Sequence, residues 1–508
     1  MNLSRYRTPG ILFSCMLVPT TSIFATNKPH IILIMTDQHR ADALGCAGNP
    51  IIHTPNLDVL AADGNLFNNA YSSCPSSTPA RAGLLTGLSP WHHGMLGYGK
   101  VAEKYEFEMP AMLREAGYYT FGIGKMHWHP QYNTHGFHGM LLDESGRVES
   151  EGFMSDYRRW FLTQAPGKDP DLTGIGWNDH GAAAYKLEER LHPTTWTANE
   201  AVNLIRNYDL ENPLFLKISF ARPHSPYDPP ARFLDMYAPD SIPLPYKSDW
   251  SSSIGANVVN PAQQSDAPFA CFSDEYTLNS RRHYYASITM IDEQIGRIVN
   301  TLKEQGMYEN ALICFISDHG DMMGDHHHWR KTYAYEGSSA IPFIVKWPAS
   351  LTRKTKAGKT LEYPVELRDI LPTFLDVAET PIPKKMNGCT LTPLVTKENP
   401  EWRKWIDLEH ATCYAPRNYW CALTDGRYKY IWFIHSGEEQ FFDLTADPEE
   451  CYNQIESRKY KKKIAEFRQG MIDHLSERGE EWVKGNQLQK REKTLLYSPH
   501  YPQSIQSN

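Results

Sequence analysis

No two of the nine cysteines stand in Cys-x-x-Cys spacing, so a thiolate zinc site is disfavoured. Cys413 and Cys421 are near one another in sequence and could form a disulfide, although spacing alone leaves the connectivity open. Basic residues are not in excess. Lys and Arg total 51 against 59 Asp and Glu, a formal net charge of -8. That balance argues against a nucleic-acid partner and requires any basic pocket to be local. No apolar run is long enough to span a bilayer, so no transmembrane segment is predicted. Internal repeats are absent. With 22% charged residues, 13 Trp and 28 Tyr, extended disorder is not expected either.

What is present begins with an export signal. Arg5 and Arg7 precede a short apolar core from Ile11 to Val18, and Ala25 is a small residue suited to cleavage. Leu12-Phe13-Ser14-Cys15 offers a lipoprotein alternative. The expected location is the periplasm or the exterior. Short apolar runs at Ile31–Met35, Tyr118–Ile123, Leu214–Phe220, Leu312–Ile316 and Pro342–Trp347 read as buried parallel strands. Helical patterns alternate with them: Ile288, Ile291, Ile295, Ile298, Val299 and Leu302 share one face, and Gly306 is a natural stop. This alternation predicts a doubly wound α/β sheet. Asp37, Lys125, His224 and Asp318 each follow a predicted strand, at the sheet edge where such folds bind ligands. Beyond about Pro383 the pattern changes. Asp425-Gly426 between two apolar runs marks a hairpin, and a helix follows over 458–478. The expected organisation is a signal over 1–25, a catalytic domain over 26–395, an antiparallel α+β subdomain over 396–490 and a tail over 491–508.

Ser77-Thr78-Pro79-Ala80-Arg81 is followed by Thr86-Gly87. Pro79 suits the first turn of a helix, which places Ser77 at an N-terminus where N–H groups and the helix dipole stabilise negative charge. Arg81, one turn on, can reach back toward Ser77. Alone, the segment reads better as a serine N-cap with a solvated arginine. In full, it resembles the signature of type I sulfatases, in which a Cys or Ser is oxidised to formylglycine. Ser77 fits that register; Cys74 and Ser73 do not. The resemblance runs along the chain through Thr36-Asp37-Gln38, Gly124-Lys125-Met126-His127, Arg222-Pro223-His224, Ser317-Asp318-His319-Gly320 and Lys331 with Tyr335-Glu336. It continues through Gly426-Arg427-Tyr428-Lys429-Tyr430 and Asp443-Leu444 to Asp447-Pro448. The family often has an acidic residue where Gln38 stands and Asn where His319 stands.

The resemblance implies an alkaline-phosphatase-like mixed sheet and a serine-type sulfatase matured by an anaerobic sulfatase-maturating enzyme. It implies Ca2+ held by Asp37, Gln38, Asp318, His319 and the modified Ser77 (3-oxoalanine). Lys125, Lys331 and Arg81 would neutralise the transferring group, His224 would protonate the leaving oxygen, and His127 would deprotonate the second hydroxyl. The run from His127-Trp128-His129-Pro130 through Asn133 and His135-Gly136-Phe137-His138 to Asp143-Glu144-Ser145-Gly146-Arg147 resembles gut-bacterial glycosaminoglycan sulfatases. Among them it is most similar to the unsaturated-uronate 2-O-sulfatases. The substrate implied is thus a sulfated oligosaccharide, with 6-O-sulfohexosamine and aryl sulfates as alternatives. Trp160, Trp177, Trp196 and Tyr132 could stack on sugars or serve as core. Asp325-His326-His327-His328 invites a metal reading, but adjacent residues cannot all face one ion, so a polar loop at the pocket mouth is expected instead. The rivals are a phosphatase or phosphodiesterase of the same fold, which would need a second metal, and a silent glycan-binding relative.

Overall fold

A computed structural model describes residues 28–352 and 357–502. The expected export signal and Cys15 therefore lie outside the described residues, as does the end of the expected tail. The central sheet has eight strands: β1 (His30–Asp37), β2 (Asn65–Phe67), β3 (Tyr119–Gly124), β4 (Gly139–Leu142), β5 (Leu214–Pro223), β6 (Ala311–Ser317), β7 (Phe343–Lys346) and β8 (Lys359–Leu361). Their order is β4-β3-β5-β1-β6-β7-β2-β8. The five strands from β4 to β6 run parallel. Contrary to the expectation for Pro342–Trp347, β7 is antiparallel to both β6 and β2. A run buried on both faces reads the same in either direction, so its composition carries no polarity. The sheet is mixed, as the alkaline-phosphatase-like class requires.

Strands β1, β5 and β6 are buried almost throughout because apolar layers cover both sheet faces. On one face, α2 (Pro193–Arg206) and the 31-residue α3 (Asp274–Glu304) pack through Ala198, Val202, Ile205, Ile291, Ile295 and Ile298. On the other lies α1 (Ser77–Thr86), against Leu312, Cys314 and Phe343 through Leu84 and Leu85. Ser273 caps α3 by accepting from Tyr276 N, and the helix ends just before Gly306 at φ 68°. A second sheet of β9 (Ile406–His410), β10 (Trp420–Thr424), β11 (Tyr428–Phe433) and β12 (Glu439–Asp443) is antiparallel, and Asp425-Gly426 turns its β10–β11 hairpin. Helix α4 (Lys461–Leu475) covers it through Ile464, Phe467 and Met471. The segment reaching Tyr501 lies along the loop at Gly94–Lys100: Leu96 N donates to Leu496 O and Ser498 N to Gly94 O.

The Cys413–Cys421 disulfide that the sequence allows is not formed. Both are free thiols: Cys421 faces the β9–β12 core, whereas Cys413 precedes the turn at Ala415.

Candidate active site

Four strand ends deliver the chemistry to one edge. Asp37 closes β1; Lys125, His224 and Asp318 directly follow β3, β5 and β6. Backbone hydrogen bonds stitch these ends together. Lys125 N donates to Ser219 O (2.8 Å), His224 N to Asp37 O (3.0 Å) and Asp318 N to Thr36 O (3.3 Å). Gly124 is required here: its φ is +92°, and a Cβ would sit 2.1 Å from Ser219 O. Gln38 and His127 are held at φ 69° and 60°, strained positions for side-chain-bearing residues.

Ser77 is the first residue of α1 and is buried. Gly87, left-handed at φ 68°, ends that helix, which accounts physically for the Thr86-Gly87 pair. The Ser77 hydroxyl lies 3.0 Å from His319 Nε2. Because His319 Nδ1 donates to the Gly320 carbonyl (2.9 Å), Nε2 is free to accept from Ser77. Burial holds the His319 imidazole below its ordinary pKa, opposed by Asp318. Ser76, one residue earlier, does not cap α1; its hydroxyl lies 2.8 Å from His410 Nε2, on the second sheet.

The charged groups interlock. Arg81 Nε donates to Asp318 Oδ2 and Nη2 to Asp37 Oδ2, each at 3.0 Å, while Nη1 donates to Lys125 O (2.7 Å). Lys125 Nζ lies 2.6 Å from Asp37 Oδ2, close enough for an ion pair although not aligned as a hydrogen bond. Lys331 Nζ donates to Gln38 Oε1 (2.7 Å) and to His224 Nε2 (2.8 Å), and His224 Nδ1 donates to Ser225 O (3.0 Å). Burial would raise the Asp37 carboxyl, but Lys125, His224, Arg81 and Lys331 together hold it well below the usual range. Burial pulls Lys331 down to about 7. Burial and then Arg147 pull Lys125 down to about 8. His224 is depressed by burial and by Lys331, and His127 by burial and by Arg147.

Asp37 Oδ1 has no hydrogen-bond partner although it is buried. Ligand atoms of Asp37, Asp318 and His319 all lie within 4.8 Å of one another. An orphaned carboxylate oxygen beside a second carboxylate and an imidazole fits a divalent cation.

A sequence profile described as "Sulfatase" matches residues 29–380 of this chain. The chain belongs to the sulfatase family. A second profile, "N-sulphoglucosamine sulphohydrolase, C-terminal", matches residues 324–477. The chain is 40% identical over 476 residues to an arylsulfatase of Clostridium perfringens, covering 91% of this chain and 98% of that one. It is 27% identical to an N-acetylglucosamine-6-O-sulfatase of Bacteroides thetaiotaomicron, covering 93% and 89%. Among solved structures, a phosphonate monoester hydrolase of Agrobacterium radiobacter superposes with TM-score 0.74 at 24% identity (88% and 96% covered). A 2-O GAG sulfatase superposes with TM-score 0.66 at 21% identity (90% and 93% covered). These two likenesses show the fold alone. As a sulfatase, the chain is a sulfuric ester hydrolase.

Within this sulfatase, Asp37, Gln38, Ser77, Arg81, Lys125, His224, Asp318, His319 and Lys331 form one hydrogen-bonded cluster, and His127 follows Lys125 by two residues. Two details differ from expectation. Arg81 turns to Asp37 and Asp318 rather than back to Ser77, because two buried carboxylates offer it charge-assisted bonds. Gln38 gives its oxygen to Lys331 and its amide nitrogen to Asp321 Oδ2 (2.5 Å). The Asp325–His328 run is mostly buried, and the cleft it borders is not lined by the predicted site residues. Asp325, His326 and His328 are buried, and His326 and His328 pack around Trp250 and Tyr335. The cleft, of about 450 Å3, reaches His326, Arg40, Glu336 and Glu450. Trp196 is core, packed on Tyr157, whereas Tyr132 is exposed and Trp177 half-buried.

Sequence reasoning passed over several supporting residues. Glu144 Oε1 accepts from Met126 N (2.8 Å) and His127 N (2.9 Å), fixing the loop that carries His127. Asp321 also accepts from Tyr227 Oη (2.8 Å), anchoring Gln38. Asp321, three residues past Asp318, was discoverable from position. His410 arrives from a different sheet and left no local signal.

Proposed function

We propose that this exported sulfatase hydrolyses carbohydrate sulfate esters through Ser77 oxidised to formylglycine, and that its preferred substrate is a 2-O-sulfated, unsaturated uronate at a chain end. The observation that carries the reading is the placement of Ser77. Ser77 opens a helix N-terminus and touches His319, whose Nε2 lies 4.0 Å from Asp37 Oδ1 and 3.6 Å from Asp318 Oδ1, and Arg81 and Lys125 pair with those carboxylates. An anaerobic maturating enzyme would remove two hydrogens from Ser77 to leave an aldehyde, whose hydrate is a geminal diol.

One diol oxygen bonds to sulfur as the sulfur–alkoxy bond breaks. The helix N-terminus favours the anionic form of that oxygen. Arg81, Lys125 and Lys331 neutralise and orient the transferring group. The Lys331–His224 pair carries a proton within reach of the departing oxygen, and the depressed Lys331 makes that proton available near neutrality. His127, held neutral by burial and Arg147, accepts the proton of the second hydroxyl. The carbon–oxygen bond to sulfate then breaks and the aldehyde returns. An unmodified serine has no second hydroxyl and would stop at a stable sulfate ester. We assign Ca2+ to Asp37, Asp318 and His319 together with the modified Ser77; when bound, it would polarise sulfate oxygens and acidify the nucleophile. Gln38 completes the set if its oxygen leaves Lys331.

The identity to an arylsulfatase favours a second reading, in which an aryl sulfate is the substrate. A panel decides between them. Sulfate release from a 2-O-sulfated unsaturated disaccharide, well above that from an aryl sulfate or a 6-O-sulfated hexosamine, is the expected result. Release from only the aryl or hexosamine ester would reject the uronate assignment.

A further inference from the structure

Arg147 stands apart from the other cations at this site. Arg81 and Lys125 face carboxylates, and Lys331 is clasped between Gln38 and His224. Among the described residues Arg147 enters no ion pair, although its side chain is buried (7% exposed). Its backbone is pinned at both ends: N donates to Glu144 O (3.0 Å), and O accepts from Gln131 Nε2 (3.1 Å). The guanidinium lies over the Trp177 ring, 5.3 Å from its centroid, and Nη1 lies 2.9 and 2.7 Å from the ring nitrogens of His127. Nε and Nη2 make no hydrogen bond among the described residues. Glu144 acts on Arg147 only from beyond ion-pair distance, and a buried guanidinium with no carboxylate in contact is costly unless a ligand supplies one.

Its surroundings say which part of a ligand that is. The sulfate being transferred already has Arg81, Lys125 and Lys331. Among the described residues the Arg147 guanidinium lies against His127 and Trp177 and makes no hydrogen bond to Asp37, Ser77 or Asp318; Trp177 is half-buried, and Tyr98, 47% exposed, sets its ring edge-on to His127 at 5.9 Å. A planar guanidinium braced on an indole presents a fixed fork, which suits a planar carboxylate better than a point charge would. We infer that Arg147 is a specificity-determining residue that reads a second anionic group, a carboxylate foremost, on the leaving alcohol of the sulfate ester. This rests on the sulfatase reading above but not on the sugar assigned there.

The test uses protein in which Ser77 has been oxidised, and three probes: phenyl sulfate, meta-carboxyphenyl sulfate and meta-sulfonatophenyl sulfate. Their kcat/KM ratios isolate the second anion from the shared sulfate. Wild type should prefer the carboxylated probe over phenyl sulfate by about tenfold or more, as expected for one hydrogen bond to a charged group. Arg147→Gln should collapse that ratio, chiefly through KM, whatever its absolute rate; Arg147→Lys should retain an intermediate ratio. Should Arg147→Gln fail to fold, Arg147→Lys alone reads the same ratio. A ratio that falls more for the sulfonate than for the carboxylate keeps the anion subsite and reassigns its ligand. A carboxylate ratio near one in wild type, or one unmoved by both variants, overturns the inference while leaving the sulfatase reading standing. No turnover of any probe or sulfated sugar would overturn that reading, and this inference with it.

Discussion

Two neighbouring segments, Asp318-His319 and Asp325-His326-His327-His328, look alike on paper and behave oppositely in the fold. The first ends a central strand and converges with Asp37 from the adjacent strand, leaving Asp37 Oδ1 unpartnered. In the second the carboxylate is already paired. Asp325 Oδ2 accepts from Arg40 (2.7 Å), while Oδ1 accepts from Arg281 (3.2 Å) and Tyr246 N (3.0 Å). His326 and His328 pack among aromatic rings. Richness in Asp and His is therefore a poor guide to an ion site. Convergence from separate strands, with an oxygen left unmet, is the better one.

That contrast can be broken first at Asp318. Asp318→Ala should lower sulfate release by at least about 10²–10³-fold, the scale of losing a preorganised electrostatic group, with far-UV circular dichroism unchanged. Chelation of wild type should do the same, and full turnover in a chelated preparation would remove the metal from the account. The second segment should respond in stability instead. Asp325→Ala removes the ion pair of the buried Arg281, while Arg40 keeps Asp42, so denaturant unfolding should show a loss of about 3 kcal/mol. An unchanged midpoint would mean the cluster is not structural.

Acid sharpens the same comparison. Burial holds His328 and His180 down to about 3, from an ordinary 6.5. Between pH 6.5 and about 3 the unfolded chain binds these protons and the native state does not. Stability is therefore complete above pH 6.5 and falls on acidification, by about 1.4 kcal/mol per pH unit for each histidine. His328→Phe should flatten this slope in melting temperature against pH; an identical slope would contradict the assignment. The smallest effect belongs to Cys413→Ser. As a free, half-buried thiol, Cys413 should tolerate the change within about 0.5 kcal/mol, and a large loss would point to a disulfide after all.

Much of the site was legible because the parallel strands are continuous apolar runs. Asp37, Lys125, His224 and Asp318 stand at or just past the ends of those runs. The direction of β7 was not legible, since a run buried on both faces carries no polarity. Nor was the aim of Arg81, which depends on where Asp37 and Asp318 meet in space rather than on helical spacing to Ser77. His410 against Ser76, and Arg147 against His127, are contacts across 334 and 20 residues, with no periodicity to announce them. The burial of most of the Asp325–His328 run was not legible, because composition does not reveal it.

The central claim is that Ser77, poised at the start of α1 against His319, is converted to an aldehyde and acts as the nucleophile. The most direct measurement is the mass of the native peptide spanning Ser77, taken alongside multiple-turnover sulfate release from the same preparation. The peptide should be two hydrogens lighter than its sequence requires, with activity rising in proportion to that species and absent from Ser77→Ala. Full turnover from protein whose Ser77 peptide has the mass of unmodified serine would contradict it.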